Sequence, residues 1–117
     1  MQGSLRLRKR EEFSKVYRHG QSTANLKFVL YYMKNKRTDH FHLGVSVSKK
    51  VGSAVVRNRI RRLVKEVVRL NADRIKINFD LIFIAKKAAD GLTYDECSKN
   101  VLHILNKAQL LHPIGIV

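Results

Sequence analysis

The sequence SKKVGSAVVRNRIRRLVKEVVR, residues 48–69, decides how this chain is expected to fold. Gly52 and Ser53 form a turn, and Ser53 can cap a helix that runs to about Asn71. The apolar residues of this helix recur at helical spacing and are Val56, Ile60, Leu63, Val64, Val67 and Val68. Such a stripe requires a core to cover it, so the helix is predicted to pack on other elements of the protein.

A helix and strands are predicted upstream of this segment. Residues 9–18 predict a short helix, and Gly20 is placed to end it. Residues 26–34 and 41–48 alternate in side-chain character as β-strands do, in a region with room for two or three strands. The residues of the first strand that are predicted to share one face are Leu26, Phe28, Leu30 and Tyr32.

A buried strand and a last helix are predicted downstream. The run FDLIFIA at residues 79–85 is almost continuously apolar, which is typical of a strand covered on both faces. Thr93 and Glu96 form a capping box that opens a helix through about Ala108. Its predicted core face consists of Cys97, Val101, Ile104 and Leu105. The whole order predicts one α+β domain over residues 1–117, with helices packed on a mixed sheet.

The composition indicates a folded protein with a polyanionic partner. Lys and Arg number 24 against nine Asp and Glu, while 44% of the residues are hydrophobic, which is ordinary for a folded domain. Nucleic acid is the favoured partner over an anionic membrane or an acidic protein. The chain has no apolar run of about 18 residues and no signal-peptide pattern in MQGSLRLRKR, so a cytoplasmic location is expected. The single cysteine, Cys97, excludes an intrachain disulfide.

The predicted helix of residues 54–71 is unusually basic. Residues 48–69 hold eight of the 24 basic side chains and one carboxylate, Glu66. The cations spaced by four residues are Arg57, Arg61, Lys65 and Arg69, and Asn58 and Arg62 form a neighbouring row. Like charges at this spacing repel, so an anionic partner is favoured over a solvated basic face. Arginine can contact phosphate with two donors, but these facts favour RNA over a DNA major groove only weakly.

Three aromatic residues form a second candidate site. Phe13 and Tyr17 share a face of the first helix, and Tyr31 shares a strand face with Lys27. They are either core residues or the walls of a groove for single-stranded nucleic acid, where each stacked base is worth about 1–3 kcal/mol.

The sequence assigns no catalytic or metal-ligating residue to this chain. Hydrolysis of a phosphodiester with two metal ions requires several carboxylates that converge on one site, and the nine acidic residues are scattered. His40 and His42 could act as an acid–base pair in a nuclease that needs no metal. We expect them instead to be exposed histidines of a turn.

One long motif resembles a known family. VSKKVGSAVVRNRIRRLVKE at residues 47–66 is similar to the signature of the bacterial ribonuclease P protein subunit, in which a strand ending in Ser-Lys-Lys and a Gly turn precede Arg-Asn-Arg. Residues 57–59 are Arg-Asn-Arg in this chain. The resemblance covers roughly residues 5–108 and includes Phe13, Val16, Tyr17, Gly20, NLKFVLYY at 25–32 and FDLIFIAKKAADGLTYDE at 79–96.

The resemblance implies a fold. It is an αβββαβα sandwich similar to one domain of a small-subunit ribosomal protein. The resemblance also implies a left-handed β-α-β crossover around the Arg-Asn-Arg helix, against the prevailing right hand of such connections.

The resemblance implies a function as well. A catalytic RNA with bound magnesium would cleave the 5′ leader from precursor tRNA, and the protein would bind the leader and the RNA, support magnesium binding and broaden the substrate range. The leader cleft would contain Phe13, Tyr17, Tyr31, Lys49 and Lys50. The residues near the catalytic RNA would be Arg57, Asn58, Arg59, Arg61, Arg62 and Lys65. The alternative is a ribosomal or RNA-chaperone protein without an enzyme role, since charge and fold would be alike.

Overall fold

The elements follow one another in the predicted order αβββαβα. The structure is a computed structural model that describes residues 6, 7 and 9–113; residue 5, where the predicted core begins, lies outside this range. The helices and strands are α1 (Arg10–His19), β1 (Gln21–Ala24), β2 (Phe28–Lys34), β3 (His42–Ser46), α2 (Ala54–Leu70), β4 (Phe79–Ala85) and α3 (Tyr94–Lys107). Short 3-10 turns occupy Ala72–Arg74 and Lys87–Ala89.

The strands form a mixed sheet, as predicted. Within the described residues the sheet has four strands in the order β1-β2-β4-β3. The pairs β1–β2 and β2–β4 are antiparallel, whereas β3 and β4 are parallel. Helix α2 connects the two parallel strands and therefore forms the predicted β-α-β crossover. The left-handed sense of this crossover stays a prediction.

Helices cover both faces of the sheet. Leu81 and Phe83 of β4 point toward α2 and α3, and Ile82 points toward α1. All three side chains are fully buried. This central position explains why residues 79–85 are apolar at almost every position rather than at every second one.

Local sequence signals place α2 and α3 as predicted. The Ser53 hydroxyl accepts a hydrogen bond from the Val56 N–H at 3.3 Å. The Thr93 hydroxyl accepts one from the Glu96 N–H at 3.2 Å, and the Glu96 carboxylate accepts one from the Thr93 N–H at 3.0 Å. The buried residues of the two helices are Ile60, Val64, Val67 and Val68 in α2 and Cys97, Val101, Ile104 and Leu105 in α3.

Burial gives Cys97 the properties of an inert core residue. It raises the pKa of the Cys97 thiol to about 11, although nearby Arg59 acts in the opposite direction. The thiol therefore stays protonated near neutral pH, where it is a poor nucleophile.

The prediction for the start of the first long strand was wrong. Leu26 does not share the buried face of Phe28, because it is 73% exposed and lies before β2. The Asn25 side-chain oxygen accepts hydrogen bonds from the N–H groups of Lys27 and Phe28, at 3.0 and 2.9 Å. This turn interrupts the strand, and alternation of side chains alone cannot reveal such an interruption.

No helix within residues 9–113 is both long enough and apolar enough to cross a lipid bilayer.

Candidate nucleic-acid interface

The structure brings Phe13, Tyr17 and Tyr31 together into one aromatic surface between α1 and the sheet. The ring centroids of Phe13 and Tyr17 are 6.5 Å apart, and those of Tyr17 and Tyr31 are 5.0 Å apart in an edge-to-face arrangement. Tyr17 is 40% exposed, while the other two rings are half-buried. The sheet residues under α1 thus hold the rings in place and leave Tyr17 accessible from solvent.

Phe13 is both a packing residue and a wall of this surface. Its ring lies on Gly44 of β3, where a Cβ atom would be only 2.6 Å from the Phe13 Cζ. It also packs on a small cluster formed by Leu7, Val16 and Ile82. The absence of a side chain at Gly44 is what allows the ring to reach the sheet.

The Tyr17 hydroxyl remains a neutral hydrogen-bonding group. Partial burial raises the pKa of Tyr17, nearby Tyr31 raises it further, and a hydrogen bond with Ser46 acts in the opposite direction. Ser46 ends β3 and gives the aromatic surface a polar edge. A phenol that stays protonated can donate a hydrogen bond to a phosphate or a base.

Lys49 and Lys50 lie on the exposed turn that follows β3 and precedes α2. Their side chains form no hydrogen bond or ion pair with any described residue. Lys49 follows Ser46 by three residues, and both lysines remain available for an external anion.

One side of α2 carries positive charge that the described residues do not neutralise. We call Arg57, Arg61 and Lys65 the basic flank. The pKa of Lys65 is lowered, first by partial burial and then by repulsion from Arg6 and Arg61. The repulsion from Arg6 and Arg61, though smaller than the effect of burial, is expected of a surface on which cations lie close together.

The predicted row of four cations is divided by the structure, which corrects the prediction for Arg69. Its Nε and Nη2 atoms donate to the two oxygens of Glu66, at 3.0 and 2.6 Å. This pair lies on a groove beside Tyr94 of α3, which Lys65 at the end of the basic flank also lines. Each step of four residues turns about 40° around a helix, so a row of three steps crosses from one side to the other.

The three residues of the Arg-Asn-Arg segment lie in three different environments. Arg59 Nη2 donates to the Leu92 carbonyl at 2.7 Å and ties α2 to the loop before α3. Asn58 is exposed, and its side-chain oxygen accepts from Arg61 Nη1 at 2.9 Å. Arg57 is half-buried, and its Nε has no partner among the described residues. Arg59 therefore stabilises the fold in addition to any contact with RNA.

The expectation that both histidines are exposed was wrong for His42. Its Nδ1 lies 2.9 Å from Oδ1 of Asp80, a carboxylate that is only 5% exposed. Asn35 donates to both Asp80 oxygens, at 3.2 and 3.1 Å. The alternation of residues predicted that His42 lies on a strand. Only the parallel register of β3 and β4 shows that Asp80 lies opposite it.

His40 and His42 do not form an acid–base pair around a substrate. Their ring centroids are 5.1 Å apart in an edge-to-face contact, which leaves no room for a phosphodiester between the rings. Within the described part of the chain, no group of three or more His, Cys, Asp and Glu side chains is arranged to hold a metal ion.

We expect salt to stabilise the free protein and to weaken its complexes with RNA. Raising the salt from about 0.01 M to 0.15 M shortens the Debye length from about 30 to 8 Å and screens repulsion along the basic flank. Thermal unfolding should shift to higher temperature, while RNA affinity should fall because bound counterions compete. An Arg61→Gln variant should show a smaller rise in Tm with salt. A Tm that is unchanged or falls would contradict the view that this flank repels itself.

Comparisons with known proteins show the family of this chain. The sequence model of the Ribonuclease P family matches residues 1–109. The ribonuclease P protein component of Clostridium kluyveri is 50% identical over 108 residues, covering 90% of this chain and 95% of the relative. That of Bacillus pumilus is 46% identical over 103 residues, covering 88% and 87%.

Solved structures of the family show the same fold. The RNase P protein of Staphylococcus aureus superposes with a TM-score of 0.87 at 38% identity, covering 92% of this chain and 98% of the other. The RNase P protein of Thermotoga maritima gives 0.81 at 31% identity, covering 87% and 96%. The family match extends over most of the sequence and includes both the aromatic surface and the basic flank. This chain therefore belongs to the ribonuclease P protein family.

Proposed function

We propose that this chain is the protein component of a ribonuclease P, which removes the 5′ leader from precursor tRNA when it is assembled with a catalytic RNA. The observation that carries the proposal is that one domain presents two different RNA-binding chemistries. Stackable rings lie between α1 and the sheet, and the cations of the basic flank have no acidic partner among the described residues. The ribosomal or RNA-chaperone alternative has no support in the comparisons, because the relatives reported above are all ribonuclease P proteins.

The aromatic surface is the proposed binding site for the leader. Tyr17 and Tyr31 offer ring faces and edges to unpaired bases, and Phe13 supports them from below. Stacking depends little on base identity, which suits a leader whose sequence differs from one precursor to another. Lys49 and Lys50 on the adjoining turn would contact its phosphates.

The basic side of α2 is the proposed binding site for the catalytic RNA. The residues assigned to it are Arg57, Asn58, Arg59, Arg61, Arg62 and Lys65. Each phosphate that these cations neutralise releases bound counterions and adds to the affinity. Arg59 already donates one N–H to Leu92, which orients the rest of its guanidinium at the start of the helix.

The proposed division of labour places the chemistry in the RNA. Magnesium ions bound mainly by that RNA would activate the attacking water. Two carboxylates of this chain already have partners, since Asp80 accepts from Asn35 and His42 and Glu66 accepts from Arg69. The protein would reduce repulsion between RNA strands and so favour magnesium binding. We propose that the complex acts in the cytoplasm.

Cleavage at low magnesium tests this function. The protein is mixed with the catalytic RNA of its own organism and a precursor tRNA, and the rate is compared with that of the RNA alone. We expect faster cleavage with the protein and none with the protein by itself. A His42→Ala holoenzyme that still folds should cleave at the normal rate. If the rate with protein does not exceed the rate with RNA alone, the proposed function is wrong.

A further inference from the structure

A groove between α2 and the start of α3 adjoins the basic side of α2 and adds an aromatic ring, that of Tyr94. It has a volume of about 530 Å³ and is lined by Arg59, Arg62, Leu63, Lys65, Glu66, Arg69 and Tyr94. The groove lies on the sheet face that α2 and α3 cover, opposite the face that carries α1 and the aromatic surface. It is therefore separate from the proposed leader site.

Tyr94 lies on this groove, and neither the packing of the described core nor the cap of α3 requires its ring. It is the first residue of α3 and is 37% exposed. It belongs to neither of the two apolar clusters that form the core of the described residues. The capping box of Thr93 and Glu96 satisfies the start of the helix through other atoms. The ring and Leu63 give the groove an apolar wall.

The charge of the groove is positive, with three arginines and Lys65 against one carboxylate. Arg69 is paired with Glu66. Arg59 uses one donor on the Leu92 carbonyl and retains the others. Arg62 is exposed and forms no hydrogen bond or ion pair with any described residue. The groove thus combines an accessible aromatic face with an arginine that lacks an internal partner.

We infer that this groove binds one unpaired nucleotide of the catalytic RNA, with the base stacked on Tyr94 and the phosphate held by Arg62. Proteins bind single-stranded RNA through this combination of an aromatic face and a guanidinium. The volume lies within the range of about 300–1,000 Å³ found for sites of small ligands. The inference rests on the proposed function.

The position of the groove favours the catalytic RNA over the leader. Arg59 belongs both to the groove and to the Arg-Asn-Arg segment, so one RNA can contact the groove and the basic side of α2 without a break. A leader strand on the aromatic surface would have to pass around the sheet to reach Tyr94. The described residues extend 38 × 36 × 25 Å, so such a path would have to cross the domain from one side to the other.

Equilibrium binding of the catalytic RNA alone, without precursor, tests the inference. Tyr94→Ala should raise the Kd about 5- to 150-fold, which is the value of one stacked base, and should leave the salt slope unchanged because no charge is lost. Tyr94→Phe should bind like the original protein, and Tyr94→Leu should bind like Tyr94→Ala. Arg62→Ala should raise the Kd and reduce the salt slope by about 0.7–0.9, the contribution of one phosphate.

Lys99→Ala is the matched control, because Lys99 is an exposed cation of α3 that does not line the groove. Its Kd should rise less than that of Arg62→Ala. Normal Kd values for a folded Tyr94→Ala or Tyr94→Leu protein would overturn the inference, as would a loss that appears only for precursor tRNA. If the inference fails but the original protein still accelerates cleavage, the proposed function stands. The binding assay and the cleavage assay therefore distinguish failure of the inference from failure of the proposed function.

Discussion

Tyr17→Ala is expected to raise the Kd of the assembled ribonuclease P for precursor tRNA about 5- to 150-fold, the equivalent of about 1–3 kcal/mol for one stacked base. Affinity for mature tRNA should stay the same, because mature tRNA has no leader to stack. Tyr17 is the most exposed ring of the aromatic surface, and its loss should leave the core intact. Equilibrium binding of precursor and mature tRNA to the holoenzyme measures the difference.

Two controls separate stacking from other roles of Tyr17. Tyr17→Phe keeps the ring and loses the hydrogen bond with Ser46, so it should retain most of the affinity for precursor. A precursor with its leader trimmed to one nucleotide should bind Tyr17→Ala and the original protein equally. If Tyr17→Ala weakens precursor and mature tRNA by the same factor, the aromatic surface is not a leader site.

Gly44→Ala is expected to destabilise the protein and to reduce precursor binding at once. The new Cβ would lie 2.6 Å from the Phe13 ring, which must then move away from the sheet. Overpacking of this kind costs about 1–3 kcal/mol. At this chain length the Tm should fall by roughly 4 °C for each kcal/mol. Because Phe13 supports the aromatic surface, the Kd for precursor should rise while the Kd for mature tRNA does not.

A double-mutant cycle identifies the clash as the cause. Phe13→Ala removes the ring that the new Cβ would meet, so Gly44→Ala should cost less free energy of unfolding in that background. The expected coupling lies in the range of about 0.5–3 kcal/mol that is typical of residues in contact. Additive effects of the two substitutions would show that Gly44 matters for a reason other than the approach of Phe13.

Much of the fold was predictable because its signals are local. The cap of α2 at Ser53 and the capping box at Thr93 each depend on residues three apart, and both were predicted correctly. The continuous apolar run of β4 predicted its bounds without error. The turn at Asn25 was missed, because one side-chain oxygen that accepts two backbone N–H groups leaves no mark on the alternation of residues.

The candidate site was only partly predictable. The three aromatic residues were selected from the sequence, and the structure brings them together. The helical wheel placed Arg69 with the other cations, but the rotation along α2 and its pair with Glu66 turn it toward Tyr94. Tyr94 was not selected, because the sequence presents it only as the residue after a helix cap.

The sequence by itself determined the order of elements, the covered stripe of α2, the excess of positive charge and the resemblance that leads to the family. These follow from composition and from residues within one or two helical turns of each other. Only the tertiary structure decided which distant residues meet. Phe13 lies on Gly44, Asp80 holds His42 and Tyr94 faces Arg69. The strand order β1-β2-β4-β3 and the packing of α2 on α3 create these contacts, and no local pattern specifies them.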